Sequence, residues 1–496
     1  MTKSLVYMCY FVLYTFFILW FGKSGFNKTR STRDFYIANG SLGLFTSIST
    51  FGGTWFSAAS MLGLTGSIYA FGYSAILYSV IGWFFGAFLI VLLANKFKEY
   101  SIVTMPEFFK IRYGSTFLQA AGGLVIVIGY VFYIVIQIKG FGIIMTKLLD
   151  IPYSLAIFLV YLFILYTTFG GLYSVARTDI INFLLIVFGS LLSGFIIWSK
   201  LDGLQQMHLQ AAVIDTEVIK NSGFYTIKGG LLDPFAKGLQ PPILLISSFF
   251  GWGLGLAANP QYAIRISSAR DKKTALNMVG ITILILILVY FSNLIIGLGS
   301  RILVPTAVGI NSIDEIFPYI IDTIFSTHYG GLILISIIAA AISSANSQLL
   351  ILASGFCNDI YKNLFNPSIN DEKFLNLNRF FVGLGGTTSL LLALNPPASL
   401  LIFGAKIWGV FAAVFLIPLY GGVFWSKATK AGALAAFIGG LVTSLPFYIA
   451  KVGYKAITPI TTDYVVNPAL PGVIASLILF ILVSLLTQNR GGRMQL

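Results

Sequence analysis

Runs of about 20 predominantly apolar residues recur along almost the whole chain, each long enough to cross a hydrocarbon layer about 30 Å thick. No other feature limits the fold as strongly. Backbone in lipid must satisfy its own N–H and C=O groups, so only helices and closed barrels can span. Runs of this length select helices, because a spanning strand needs only about 10 residues. The 496 residues are 57% apolar and 10% charged, against about a quarter charged in an average soluble domain. That balance excludes a soluble enzyme, a disordered chain and a disulfide scaffold. The two cysteines, Cys9 and Cys357, lie in or beside apolar runs.

The pattern predicts an all-α polytopic membrane protein with about thirteen spans, at 4–22, 41–70, 72–95, 116–148, 152–170, 179–199, 240–264, 274–303, 330–358, 378–395, 398–424, 431–450 and 469–488. The first is read as a retained span, since no small-residue cleavage site follows it. The net charge of +14 does not indicate nucleic acid. Its basic residues sit in short connections, such as Lys23, Lys28, Arg30 and Arg33, Lys96 and Lys98, Lys110 and Arg112, and Arg270, Lys272 and Lys273. They mark alternate connections as cytoplasmic, which puts the N-terminus outside, the C-terminus inside and the protein in the plasma (inner) membrane.

Two spans are interrupted. One carries Phe51-Gly52-Gly53-Thr54, the other Gly251-Trp252-Gly253-Leu254-Gly255 followed by Asn259-Pro260. Glycine alone in a membrane helix usually serves close packing. A matched pair of interruptions in corresponding positions of two halves points instead to a transporter built from repeats. The interval is five spans, so the second repeat starts from the opposite face and is inverted. The expected organisation is an extra helix and loop (1–33), a first repeat (34–199), an external loop (200–239), a second repeat (240–426) and two further helices with a short tail (427–496).

Four segments, in order, resemble the sodium:solute symporter family. They are Asp34-Phe35-Tyr36 through Ser41-Leu42-Gly43; Pro106-Glu107-Phe108 with Arg112-Tyr113-Gly114; Tyr166-Thr167 with Gly170-Gly171-Leu172, Ser174 and Thr178-Asp179; and Gly422-Val423 with Lys427 and Gly432-Ala433. The last departs from the family pattern at Phe437. The resemblance implies a LeuT-type fold of five-plus-five inverted helices and sodium coupling.

Sodium is a hard cation that takes oxygen ligands. The ninth span holds Ser343 and Ser347, which share a helix face, and a lone pair of this kind ordinarily bonds backbone or a neighbouring helix. Beside a broken helix with free carbonyls, a cation site is the better reading. The resemblance implies the ligands: the carbonyls of Gly53, Phe56 and Ala340 and the hydroxyls of Ser343 and Ser344. Some relatives have a second sodium site, which would fall on Asp179, Ser343, Asn346 and Ser347, with Asn346 where a serine is usual. An acid near the membrane is a functional candidate in its own right.

Solute is expected at mid-depth between the interrupted spans. Candidates are Trp55, Ser57, Ser60, Tyr78, Lys139, Trp252, Asn259, Gln261 and Lys406. Positions at which sugar-carrying relatives place polar side chains read Ser60, Ser79 and Gly82 here, although Asn259 matches. Lys139 and Lys406 lie inside spans, where a lysine costs at least about 2.5 kcal/mol unless it snorkels. Two basic residues lining an external vestibule would attract a carboxylate. The expectation is therefore a sodium-coupled symporter, functional as a monomer among lipid, importing a small anionic solute such as a monocarboxylate or a pantothenate-like acid. Proline or another amino acid, a sugar and sialic acid are the alternatives; a proton-coupled carrier and a membrane sensor stand behind them. Enzyme chemistry is not expected, since His208 and His328 belong to no motif.

Overall fold

The computed structural model describes residues 2–396, 399–449 and 466–488. The tail expected after the last span lies outside these residues. Among them, ten helices are long and apolar enough to cross a membrane. The other three expected spans are occupied differently: one by two short helices, one by Tyr153–Thr168, and one by Asp371–Ala393, whose first turn is acidic. The order is α1 (Lys3–Phe26), α2 (Leu44–Trp55), α3 (Ala59–Phe71), α4 (Tyr73–Tyr100), α5 (Met105–Tyr113), α6 (Thr116–Leu149), α7 (Tyr153–Thr168), α8 (Gly171–Trp198), α9 (Pro242–Ala257), α10 (Pro260–Ser268), α11 (Lys272–Leu303), α12 (Thr327–Lys362), α13 (Asp371–Ala393), α14 (Leu400–Phe424), α15 (Lys430–Tyr448) and α16 (Ala469–Thr487). The connection over 200–239 adds a two-residue hairpin, Thr216–Glu217 with Tyr225–Thr226.

The helices pack around α12, which is buried almost all round. It lies against α6 and α8, and α8 also packs on α1, α2 and α11. A helix apolar on every face belongs in the interior of a large bundle, and its few hydroxyls then face other helices rather than water.

The two interruptions do not fall at the glycines. The helix runs through Gly52-Gly53 and ends at Phe56, whose ψ of 102° leaves the helical region. It likewise runs through Gly251-Trp252-Gly253-Leu254-Gly255 and ends at Ala258, and Asn259 at ψ 127° starts the next piece. The glycines let helices touch. A Cβ on Gly52 would lie 2.3 Å from the Phe183 ring, and one on Gly53 2.7 Å from Ser343 Oγ. Across α4 and α9, a Cβ on Gly86 would meet the Gly253 carbonyl at 2.1 Å, and one on Gly253 would meet the Gly82 carbonyl at 2.7 Å. The breaks expected in these two glycine segments therefore fall just beyond them. The glycines set the approach, and the breaks come three residues after Gly53 and three after Gly255.

The segments that carry the resemblance are packing partners. Ser174 donates to the Gly22 carbonyl and Thr29 to the Gly170 carbonyl. Gly171 has φ +66° and Phe35 against its Cα, a position no side chain could occupy. Arg112 donates to the carbonyls of Gly422 and Trp425 at 2.8 and 3.2 Å, which ties α5 to the end of α14.

Candidate functional site

The last carbonyls of a helix have no partner within it and carry the negative end of its dipole. Breaking α2 at Phe56 exposes such carbonyls in the middle of the bundle. Ser344 on α12 donates toward the carbonyls of Gly53 and Thr54, at 3.4 Å each. Ser343, one residue earlier, packs its hydroxyl where Gly53 lacks a Cβ. Carbonyls of a helix end and hydroxyls of a neighbouring helix therefore converge, all with negligible exposure. Ala340 lies one turn before Ser344 on α12 and is fully buried.

A hydrogen-bonded chain adjoins this cluster. The Asp179 carboxylate accepts from Thr50 at 2.5 Å and from Ser343 at 2.6 Å. Arg265 donates through Nε to Thr50 at 3.0 Å, and through one terminal nitrogen to Thr54 at 3.1 Å and to Ser347. Thr54 and Ser347 hydroxyls are 2.7 Å apart. Arg265 and Asp179 are thus joined through Thr50, and each buried charge offsets the other. Asn346 takes no part in that chain; its carbonyl accepts from Thr167 at 2.7 Å. Arg265 is fully buried among these hydroxyls.

Around the two breaks, seven aromatic side chains form a closed circuit. Successive ring centroids are Trp55–Phe84 6.0 Å, Phe84–Tyr290 5.8 Å, Tyr290–Trp83 5.2 Å, Trp83–Trp252 5.1 Å, Trp252–Trp408 4.9 Å, Trp408–Tyr262 6.1 Å and Tyr262–Trp55 6.3 Å. Buried amides line the breaks. Asn259 accepts from the Gln261 N–H at 3.2 Å and from the Tyr130 hydroxyl, while Gln137 on α6 accepts from the Ala58 N–H at 3.1 Å and caps α3. Ser57 is buried beside that cap, and Ser60 lies 3.4 Å from the Tyr290 hydroxyl. The Asn259 Nδ2 and both side-chain polar atoms of Gln261 have no hydrogen-bond partner among the described residues.

The structure thus gathers Trp55, Ser57, Ser60, Trp252, Asn259 and Gln261. From α4, Trp83 and Phe84 belong to the circuit, and Tyr78 is half-buried earlier in that helix. The two lysines lie elsewhere. Lys139, expected to hold a solute carboxylate, is ion-paired with Asp314 at 2.8 Å, and Asp314 also accepts the Leu400 N–H at 3.1 Å. Lys406 is buried on α14, but the face of that helix toward Trp252 and Tyr133 is marked by Gly404. Two residues on is about 200° round the helix, so Lys406 leaves from another face.

Several residues were not anticipated. Thr50 and Thr54 repeat at four-residue spacing on α2, a signal the sequence does contain. Gln137 is an amide inside an apolar run, which is another. Asp314 lies in a single 3-10 turn, Ile313–Glu315, with no such signal.

Comparison with known proteins agrees with this geometry. The sodium:solute symporter family pattern matches residues 35–440. The chain is 26% identical over 487 residues to the osmoregulated proline transporter OpuE of Bacillus subtilis (strain 168), covering 96% of this chain and 94% of that protein. It is 25% identical over 493 residues to the sodium/proline symporter of Staphylococcus aureus (strain USA300), covering 97% and 92%. The solved structure of a Na+-coupled sialic acid symporter, substrate-bound and outward-open, superposes with a TM-score of 0.75 at 19% identity, over 96% of this chain and 98% of that one. Mhp1, a nucleobase-cation-symport-1 transporter in a closed conformation, gives 0.57 at 12% identity, over 93% and 96%. The fold is therefore LeuT-like, as expected, sodium is the coupling ion, and the chain is a transporter rather than an enzyme. It belongs to the sodium:solute symporter family.

Proposed function

We propose that this protein imports proline, or a small amino acid close to it, together with one sodium ion. The observation that carries this reading is the closed aromatic circuit around both helix breaks. Such a cage suits a compact solute with an apolar ring and a cationic amine, which aromatic faces attract. The amides of Asn259 and Gln261 and the N-terminus of α10 supply donors for a carboxylate. Relatives named as proline transporters support the same choice. An anionic solute is the weaker reading here, because Lys139, one of the two lysines expected to attract it, is already paired with Asp314, and Lys406 leaves α14 from a face turned away from Trp252.

In this reading sodium sits between the end of α2 and the Ser343–Ser344 pair, with Gly53, Phe56 and Ala340 contributing carbonyls. A second ion at Asp179, Asn346 and Ser347 is not part of the proposal. Arg265 already donates to Thr54 and Ser347, and its charge offsets that of Asp179. The two repeats, 34–199 and 240–426, rock about this centre, in a monomer with its basic connections on the cytoplasmic side.

Purified protein in liposomes tests the solute directly. An inward sodium gradient should drive saturable uptake of labelled proline, suppressed by excess unlabelled proline and not by lactate, pantothenate, glucose or sialic acid. Sodium-driven uptake of any of those four with none of proline would overturn the assignment.

A further inference from the structure

A second buried acid lies far along α12 from the sodium site. Asp359 has no exposed surface and sits in a π-helical turn, Gly355–Lys362, at the end of the bundle where the basic loops gather. Turns of this kind often mark functional positions. Its Oδ1 accepts three hydrogen bonds: from Thr104 Oγ1 at 2.6 Å, Gln119 Nε2 at 3.0 Å and Asn358 Nδ2 at 3.1 Å. Its Oδ2 has no partner among the described residues, and neither has Gln119 Oε1, an acceptor in the same cluster. Gln119 is 3% exposed.

Among the described residues, no counter-charge faces this carboxylate. On α5, Glu107 accepts the Val103 N–H, Lys110 bonds Asn363, and Arg112 is held by carbonyls of α14. Lys362 stacks over the Phe374 ring. On α13, Arg379 bonds the Phe169 carbonyl, and Asp371, Glu372 and Lys373 are exposed. Cys357 and the Tyr36 hydroxyl are the remaining titratable groups nearby, and neither is cationic. An ionised carboxylate buried without a cation is strongly disfavoured. Two acceptors without donors call for a hydrogen between them and their surroundings.

We propose that Asp359 is a proton-binding site, held as a neutral carboxylic acid with its proton on Oδ2 while this end of the bundle is closed. Loss of the proton leaves a bare charge among α5, α6 and α12. That charge is stabilised only when water enters, so deprotonation favours opening of the basic-loop end. The site is independent of the assignments made for sodium and solute.

Infrared spectra of the purified protein in lipid test the protonation. A carboxylic C=O band should be present near neutral pH, should disappear on alkalinisation, and should be missing in Asp359→Asn. Absence of the band from the wild type, its survival in Asp359→Asn with loss in Asp179→Asn, or its removal by sodium at constant pH would each overturn the proposal. Cys357, buried and two residues away, reports opening. In a Cys9→Ser background its maleimide labelling at alkaline pH should be faster than in the same protein carrying Asp359→Asn. Equal rates would refute the link to opening. Because Asn reproduces the shape of the neutral acid, Asp359→Asn should match the wild type in melting temperature and keep sodium-driven uptake. A collapsed melting temperature would show that the charge itself is required.

Discussion

Ser344 illustrates how one hydroxyl changes meaning with its surroundings. On an isolated helix it would bond its own backbone. Against the open end of α2 it donates toward two carbonyls that have no helical partner, and its oxygen keeps lone pairs for a cation. Removing it in Ser344→Ala deletes one ligand from a charged centre, about 1.5–3 kcal/mol, or about ten- to a hundredfold in sodium affinity. The sodium concentration for half-maximal uptake should rise by that factor while the protein still purifies folded; an unchanged value would remove Ser344 from the site. Arg265 leads to a second expectation at this scale. If its guanidinium replaces an ion at Ser347, sodium activation should follow a single-site curve. A Hill coefficient near two would show that Asp179 and Ser347 bind an ion after all.

Among elements, the informative contact is between α6 and the loop segment that carries Asp314. Asp314 reaches Lys139 on α6 and the first N–H of α14, and Lys147 on α6 pairs with Glu315 at 2.8 Å. These contacts therefore latch α6 to the start of α14. Breaking a buried pair on one side costs about 3–5 kcal/mol, whereas replacing both partners by apolar residues can cost little. Lys139→Met and Asp314→Leu should each lower thermal stability, and the double variant should recover most of the loss. Its apparent affinity for proline should remain close to that of the wild type. A double variant no more stable than the singles, or one that has lost solute affinity, would return Lys139 to the binding site. The positions of the breaks are also decided at this scale. Gly52-Gly53 and the Gly251–Gly255 run were visible as interruptions of two apolar runs five spans apart. What they do is admit Ser343 and the backbone of α4, and the chain leaves the helix a few residues later.

For the whole molecule, the proposed arrangement makes sodium and solute act on one another, because both would bind at the same pair of helix breaks. Coupling between two sites is a shared free energy, so sodium must raise solute affinity by the factor by which solute raises sodium affinity. Titration calorimetry of proline with and without sodium, and of sodium with and without proline, should return the same ratio. Unequal ratios would mean that binding does not follow the closed cycle of a symporter.

The chain by itself determined that this is a helical membrane protein with two interrupted spans at an inverting interval, and that hydroxyls lie at mid-depth in α12. Those properties rest on run length, period and spacing, which are local along the chain. Only the tertiary structure decided which charges are already spent. Lys139 reads as an unpaired lysine until Asp314, far away in sequence, is folded onto it. Asp179 and Ser347 are distant in sequence from Arg265, and only folding joins it to Ser347 directly and to Asp179 through Thr50. Trp83, Tyr262, Tyr290 and Trp408 read as ordinary membrane aromatics until the packing of α4, α10, α11 and α14 closes them into a ring. A charge's partner and a circuit of ring contacts come from segments distant along the chain, and no pattern within one segment can encode them.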